Sequence, residues 1–178
     1  VKYEVNFSTS PGRINDICIT NDGSYVFLIA ENGIFYRTKT YNHETIVGNN
    51  GQHINRQYSN FTYIENSNTI NWTGIALSYN TSHLNTTDTL YVTAVSEDGI
   101  YKVSTSSIEK VSSLTDWTTV SVSKDGKYQV AASSSEGLYY SEDFGNSWNL
   151  KDSTETNFKK IQILANGKII YYTATGIT

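Results

Sequence analysis

Apolar and polar residues alternate in short runs along this chain, and the runs come back four times. The segments INDICITNDGSYVFLIAENGIFY, WTGIALSYNTSHLNTTDTLYVTAVSEDGIYKV, WTTVSVSKDGKYQVAASSSEGLYYS and FKKIQILANGKIIYYTATGIT align. Each opens on a large apolar anchor: Ile14, Trp72, Trp117 and Phe158. Aliphatic residues follow three and five positions later, at Ile17 and Ile19, Ile75 and Leu77, Val120 and Val122, and Ile161 and Ile163. A spacing of two predicts a strand with one buried face. In three repeats the dipeptides Asp22-Gly23, Asp125-Gly126 and Asn166-Gly167 come next. Such pairs tolerate the positive φ of a two-residue hairpin turn. The second repeat carries a longer polar loop instead, around Asn80 to Asp88. A second apolar run (YVFLIA, LYVTAV, YQVAAS, IIYYTA) predicts the partner strand. A glycine then opens a third strand, at Gly33, Gly99, Gly137 and Gly176.

Those glycines recur at intervals of 66, 38 and 39 residues, so the first interval holds an insertion, placed at about residues 41–70. Repeats near 40 residues with three or four short antiparallel strands predict β-propeller blades, because one such sheet cannot bury both faces alone. The predicted fold is all-β and propeller-like, with repeats at about 14–40, 72–104, 117–151 and 158–178. The stretch VKYEVNF, residues 1–7, reads as a further strand. If it completes the fourth repeat, the chain closes a small ring; if not, the chain is a segment of a larger propeller.

Composition agrees with one globular β domain. Of 178 residues, 38% are hydrophobic, 13% aromatic with 14 Tyr, and 17% charged. Asn, Ser and Thr make up about a third, a bias toward strands and polar turns. A net charge of −4 with scattered Lys and Arg lacks the basic stripe that nucleic acid or an anionic membrane requires. No apolar stretch is long enough to cross a membrane as a helix. The lone Cys18, in DICIT, reads as a small buried hydrophobe. Five N-x-S/T sequons, at Asn6, Asn60, Asn71, Asn80 and Asn85, are about what this composition produces by chance and do not fix a compartment.

The octet SEDFGNSW, Ser141 to Trp148, is the most distinctive short motif. Asp and Ser side chains accept hydrogen bonds from nearby backbone amides, Gly145 permits a positive φ, and Trp148 can bury its rings between sheets. Its pattern resembles the Asp-box (BNR) repeat of sialidase-like and related propellers, Ser/Thr-x-Asp-x-Gly-x-Ser/Thr-Trp/Phe. Ser141, Asp143, Gly145, Ser147 and Trp148 fill every slot. The first repeat has Arg37 and Lys39 where the box has its Ser and Asp, and the second has Val103 and Thr105. The resemblance implies a structural turn between the third and fourth strands, on the outer part of its sheet and away from the axial face where such proteins bind ligands.

Sialidase chemistry, as the resemblance implies it, needs three converging arginines, a Tyr nucleophile backed by Glu, an Asp acid/base and six blades. This chain has only Arg13, Arg37 and Arg56, all in its first third, and GRIND around Arg13 has Asn15 where the family's Arg-Ile-Pro element has proline. His43, His53 and His83 lack metal-ligand spacing, and no nucleophile elbow, P-loop or dinucleotide fingerprint is present. No catalytic residue, metal site or cofactor is expected. The inserted segment and the loop from Tyr79 to Asp88 are polar and carry tyrosines, a composition suited to recognising a protein or glycan partner. Tyr41, Arg56, Tyr58, Tyr63 and Tyr79 are the candidate binding residues. The expectation is a non-catalytic scaffold or binding module of an extracellular, cell-surface or virion assembly. A fragment of a glycoside hydrolase is the alternative.

Overall fold

The computed structural model describes residues 6–41, 56–58, 60–80, 89–173 and 176–177. Its strands form four antiparallel sheets, one per repeat. The first holds β1 (Ile14–Ile19), β2 (Tyr25–Ala30) and β3 (Gly33–Tyr41), with β4 (Arg56–Tyr58) and β5 (Thr62–Tyr63) both paired to β3. The second runs β6 (Trp72–Asn80), β7 (Thr89–Ser96), β8 (Gly99–Val103), β9 (Ile108–Ser112). The third is β10 (Trp117–Val122), β11 (Gln129–Ser133), β12 (Gly137–Ser141), β13 (Asn149–Asp152), and the fourth is β14 (Phe158–Ile163), β15 (Ile169–Thr173), β16 (Gly176–Ile177). The four repeat glycines each begin a third strand, as their spacing predicts.

Each inner strand carries the same irregularity. The register slips between Ile14 and Asp16, Trp72 and Gly74, Trp117 and Thr119, and Phe158 and Lys160. In strict alternation, residues three apart would point to opposite faces. The extra residue of a bulge turns the anchor onto the face of the two aliphatics that follow. A spacing of three and then five, odd for a strand, thereby becomes a single apolar face.

Those faces pack sheet on sheet. Phe27, Ile29 and Ile34 of the first sheet meet Trp72, Ile75 and Tyr101 of the second. Val95 and Ile100 of the second meet Trp117, Val120 and Tyr139 of the third. Val130, Ala132 and Leu138 of the third meet Phe158, Ile161 and Ile163 of the fourth. The anchor rings stand edge-on to tyrosines, Trp72 to Tyr101 at 5.0 Å and Trp117 to Tyr139 at 5.2 Å. Their indole N–H groups donate to the carbonyls of Ser67, at 2.8 Å, and Leu114, at 2.6 Å. Both Trp anchors therefore bury their rings with the polar atom satisfied, worth about 2–3 kcal/mol each. Side chains beside two anchors bridge to the next one: Asn15 Nδ2 donates to the Trp72 carbonyl at 3.4 Å, and Thr73 Oγ1 to the Trp117 carbonyl at 2.6 Å.

The inner strands pack in chain order, β1 on β6, β6 on β10 and β10 on β14, and the late ends of all four border one cleft. Sheets set around a common axis, inner strands facing it, make this an all-β propeller-like fold of four sheets.

Three expectations need correction. The insertion at 41–70 is not loop throughout: β5 is the outer strand of the first sheet, while Phe61, Ile64 and Ser67 are buried. Ser67 Oγ accepts from the Ile34 amide at 2.8 Å and donates to the Ile64 carbonyl at 2.6 Å, tying this segment to β3. The hairpins after β1, β10 and β14 are not two-residue turns. Only the glycine takes a positive φ (Gly23 72°, Gly126 79°, Gly167 79°), and the Gly23 and Gly126 amides donate to Thr20 and Ser123, three residues back. Finally, Phe7 bridges Phe61 of the first sheet and stacks on its ring at 4.8 Å, rather than extending the fourth. Residues 1–5 lie outside the described residues. Cys18 packs at the edge of the core between the first two sheets, as its surroundings predict, and burial followed by the nearby Asp16 carboxylate raises its thiol pKa.

Candidate functional site

The octet joins β12 to β13, the third and fourth strands of its sheet. Ser141, whose hydroxyl is sealed from solvent, donates to Asp143 Oδ1 at 2.8 Å and accepts from the Gly145 amide at 3.0 Å. Asp143 Oδ1 also accepts from the amides of Asn146, at 3.1 Å, and Ser147, at 2.9 Å, while its Oδ2 accepts from Ser147 Oγ at 2.6 Å. The bonds from Ser147, side chain first and then amide, pull the Asp143 carboxyl down to about 2. One carboxylate thus satisfies amides that a tight turn leaves unpaired.

The turn also joins two sheets. Phe144, at φ 63°, stacks on Tyr91 of β7 at 5.0 Å. Lys102 Nζ of β8 donates to Asn146 Oδ1 at 2.7 Å. Trp148 donates to the Gly145 carbonyl at 3.2 Å and packs on the cluster of Val95, Ile100, Trp117 and Tyr139. Gly145 has φ 78°, and a Cβ there would stand 2.7 Å from Gln129 Oε1. Gln129 itself is buried, and the same Oε1 accepts from Thr93 Oγ1 of the second sheet at 2.7 Å.

The same local chemistry recurs. Thr20 with Asp22, Ser96 with Asp98, and Ser123 with Asp125 each place a hydroxyl two residues before a carboxylate, donating at 2.8, 2.5 and 2.6 Å. Burial works to raise the carboxyls of Asp22 and Asp98. Bonds from neighbouring side chains outweigh it and leave both below the usual range, Ser24 leading at Asp22 and Ser96 at Asp98. The sequence signal for it is a hydroxyl-x-carboxylate pattern, in TND, SED and SKD, which overlaps the hairpin Asp-Gly pairs in the first and third repeats.

The inner strands run from the end that bears the connections between sheets to an end that bears turns. At that second end lies a cleft of about 310 Å³, with contributions from Ile19 to Asn21, Leu77 to Tyr79, Val122, Lys124 and Gln162 to Ala165. Its lining mixes aliphatic and neutral polar side chains, Lys124 being the only charged residue among the described ones lining it. The Ser78 hydroxyl donates to the Lys124 carbonyl and holds the second and third sheets together at the rim. Both long insertions leave from this end: β3 runs to Tyr41 and β4 returns at Arg56, while β6 runs to Asn80 and β7 returns at Thr89.

The structure divides the candidate binding residues. Tyr79 borders the cleft, its ring edge-on to Tyr25 at 5.3 Å. Tyr41, Arg56 and Tyr58 sit by their backbone on the β3–β4 pair at the same end. Tyr63 does not join them: it lies on β5, half-buried against Phe35 at 5.6 Å, and is a packing residue. Arg13 borders a separate cleft at the connection end, with Glu31 and Asn71, and Arg37 lies over the Phe61 ring at 4.9 Å. His43, His53 and His83, and the loop residues 81–88, lie outside the described residues. Among the described residues no three His, Cys, Asp or Glu side chains cluster as metal ligands.

No protein-family profile matches the sequence, and no curated protein is similar to it in sequence. Among solved structures, the chain is similar to Hsv2 of Kluyvelomyces marxianus at 8% identity, over 92% of this chain and 74% of that one. The TM-score is 0.31, a likeness too distant to bear on function.

Proposed function

We propose that this chain is a non-catalytic binding module of the Asp-box repeat type, which recognises a protein or glycan partner at the turn-bearing end of its sheets. The observation that carries this reading is topological. The two longest insertions, in adjacent sheets, leave from the same end as the axial cleft, which Tyr79 borders. Loops on a rigid scaffold, rich in Asn and flanked by Tyr41, Tyr58 and Tyr79, suit adaptable recognition. The Asp-box turn supports the scaffold and is not the site, since its carboxylate is committed to backbone amides and its aromatic residues to the neighbouring sheet. An extracellular, surface or virion setting fits a module of this kind.

The arginine arrangement supports the non-catalytic reading over a glycoside hydrolase fragment, because Arg13 and Arg37 point to separate places. A printed glycan array and a fluorogenic sialoside test both together. Retention of the chain on the array, lost when residues 81–88 are replaced by a short Asp-Gly turn but kept in Asp143→Ala, is the expected result. Turnover of the sialoside would refute the proposal, and so would retention unaffected by the loop replacement.

A further inference from the structure

The internal interfaces repeat, and the series is open at both ends. The anchor and the aliphatic residue three positions on always meet the preceding sheet: Trp72 and Ile75, Trp117 and Val120, Phe158 and Ile161 are all buried there. The matching residues of the first sheet have no such cover. Ile14 is 48% exposed, and Ile17 and Ile19 are each 58% exposed. The opposite face repeats as well. Phe27 and Ile29, Thr93 and Val95, and Val130 and Ala132 occupy the same two register positions on their second strands and are buried against the following sheet. In the fourth sheet those positions hold Ile170 and Tyr172, 39% and 48% exposed.

We propose that these two faces are halves of one more interface of the same kind, completed by a second copy of this chain. The Ile170 and Tyr172 face of one molecule seats on the Ile14, Ile17 and Ile19 face of the next. The repeat itself specifies the occupant. Three times within the chain, a sheet presenting the second-strand pair is covered by a sheet presenting the anchor-strand residues. Each free face therefore matches the other and not itself, so the contact is head to tail. Apolar residues gathered on an exposed face mark an association surface. On the first sheet the Phe7–Phe61 stack, with Phe35 edge-on to Phe7, already covers the outer part. The free apolar surface is thus the axial part, where the inner strands meet in the three internal interfaces.

Sedimentation velocity over rising chain concentration tests this. The expected result is at least a doubling of mass, abolished both by Ile17→Lys with Ile19→Lys and by Ile170→Lys with Tyr172→Lys. Mixing the two double variants restores a dimer and nothing larger, since each keeps one competent face. All four residues are exposed, and unchanged thermal midpoints in dilute solution confirm that the variants fold. A chain that stays monomeric throughout overturns the proposal. A second readout places Ile17→Cys and Tyr172→Cys in a Cys18→Ala background: oxidation should link two chains, and a bond formed only within one chain means that the molecule closes on itself, which also overturns it.

Discussion

The first and third sheets share a repeat pattern and live in different surroundings. Trp117, the third anchor, is 1% exposed between two sheets, while Ile14, at the same repeat position, is 48% exposed. Beyond their third strands the contrast continues. The third sheet closes with the self-satisfied octet turn, and the first has Arg37 and Lys39 in place of its Ser and Asp, with β3 running on to pair with β4 and β5. A repeat fixes which residues can be buried; position in the array decides which of them are. The three buried anchors, Trp72, Trp117 and Phe158, are aromatic, whereas the exposed one is aliphatic.

The sharpest way to break this contrast is to truncate both anchors. Trp117→Ala should cost about 3–5 kcal/mol by urea unfolding, because it opens a cavity between the second and third sheets. Ile14→Ala should cost less than about 1 kcal/mol, and equal losses would mean that the two environments do not differ. Next in size is the turn. Asp143→Ala should cost about 1–2 kcal/mol through lost turn bonds, and Thr105→Ala, in the matching but exposed slot of the second sheet, should leave the midpoint where it was. Phe144→Ala should cost about 0.5–1.5 kcal/mol by ending the stack on Tyr91, measured in the same unfolding series.

Acid sharpens the same comparison. The Asp143 carboxyl is lowered from 3.8 to about 2 in the folded chain, so the stability it adds is complete above its unfolded value and is lost as pH falls through the folded one. Thermal midpoints should therefore drop between about pH 4 and pH 2, and Asp143→Asn should show a shallower fall over that window. A parallel decline in both proteins would assign the acid limb to other carboxylates. The smallest effect belongs to the open end of the array: Ile17→Thr, which keeps β-branching, should change stability of the dilute chain by no more than about 0.5 kcal/mol.

The repeat, its anchors and the glycines that open the third strands were legible because burial on one face leaves a periodic trace. The octet was legible because its slots are specific. The bulge after each anchor was present only as an odd spacing of three, whose meaning depends on pairing with the next strand. The strand at Thr62–Tyr63 was hidden by the polar stretch before it, which made the whole insertion read as loop. The bridging role of Phe144, Asn146 and Lys102 left no trace at all, since contacts between sheets join residues that no local period relates. The candidate binding residues fared accordingly: Tyr79 reached the cleft, while Tyr63 was claimed by the core.

The shared bulge makes the chain unusually sensitive to where its length changes. Lengthening the connections at the turn end leaves every strand in phase, and both large insertions are found there. Removing Ser121, in the unbroken alternation between Val120 and Val122, would instead turn the indole and Val120 onto the face opposite Val122, offering water an indole and the neighbouring sheet a polar side chain. Growth of this molecule is thus permitted at its rim and forbidden at its hub.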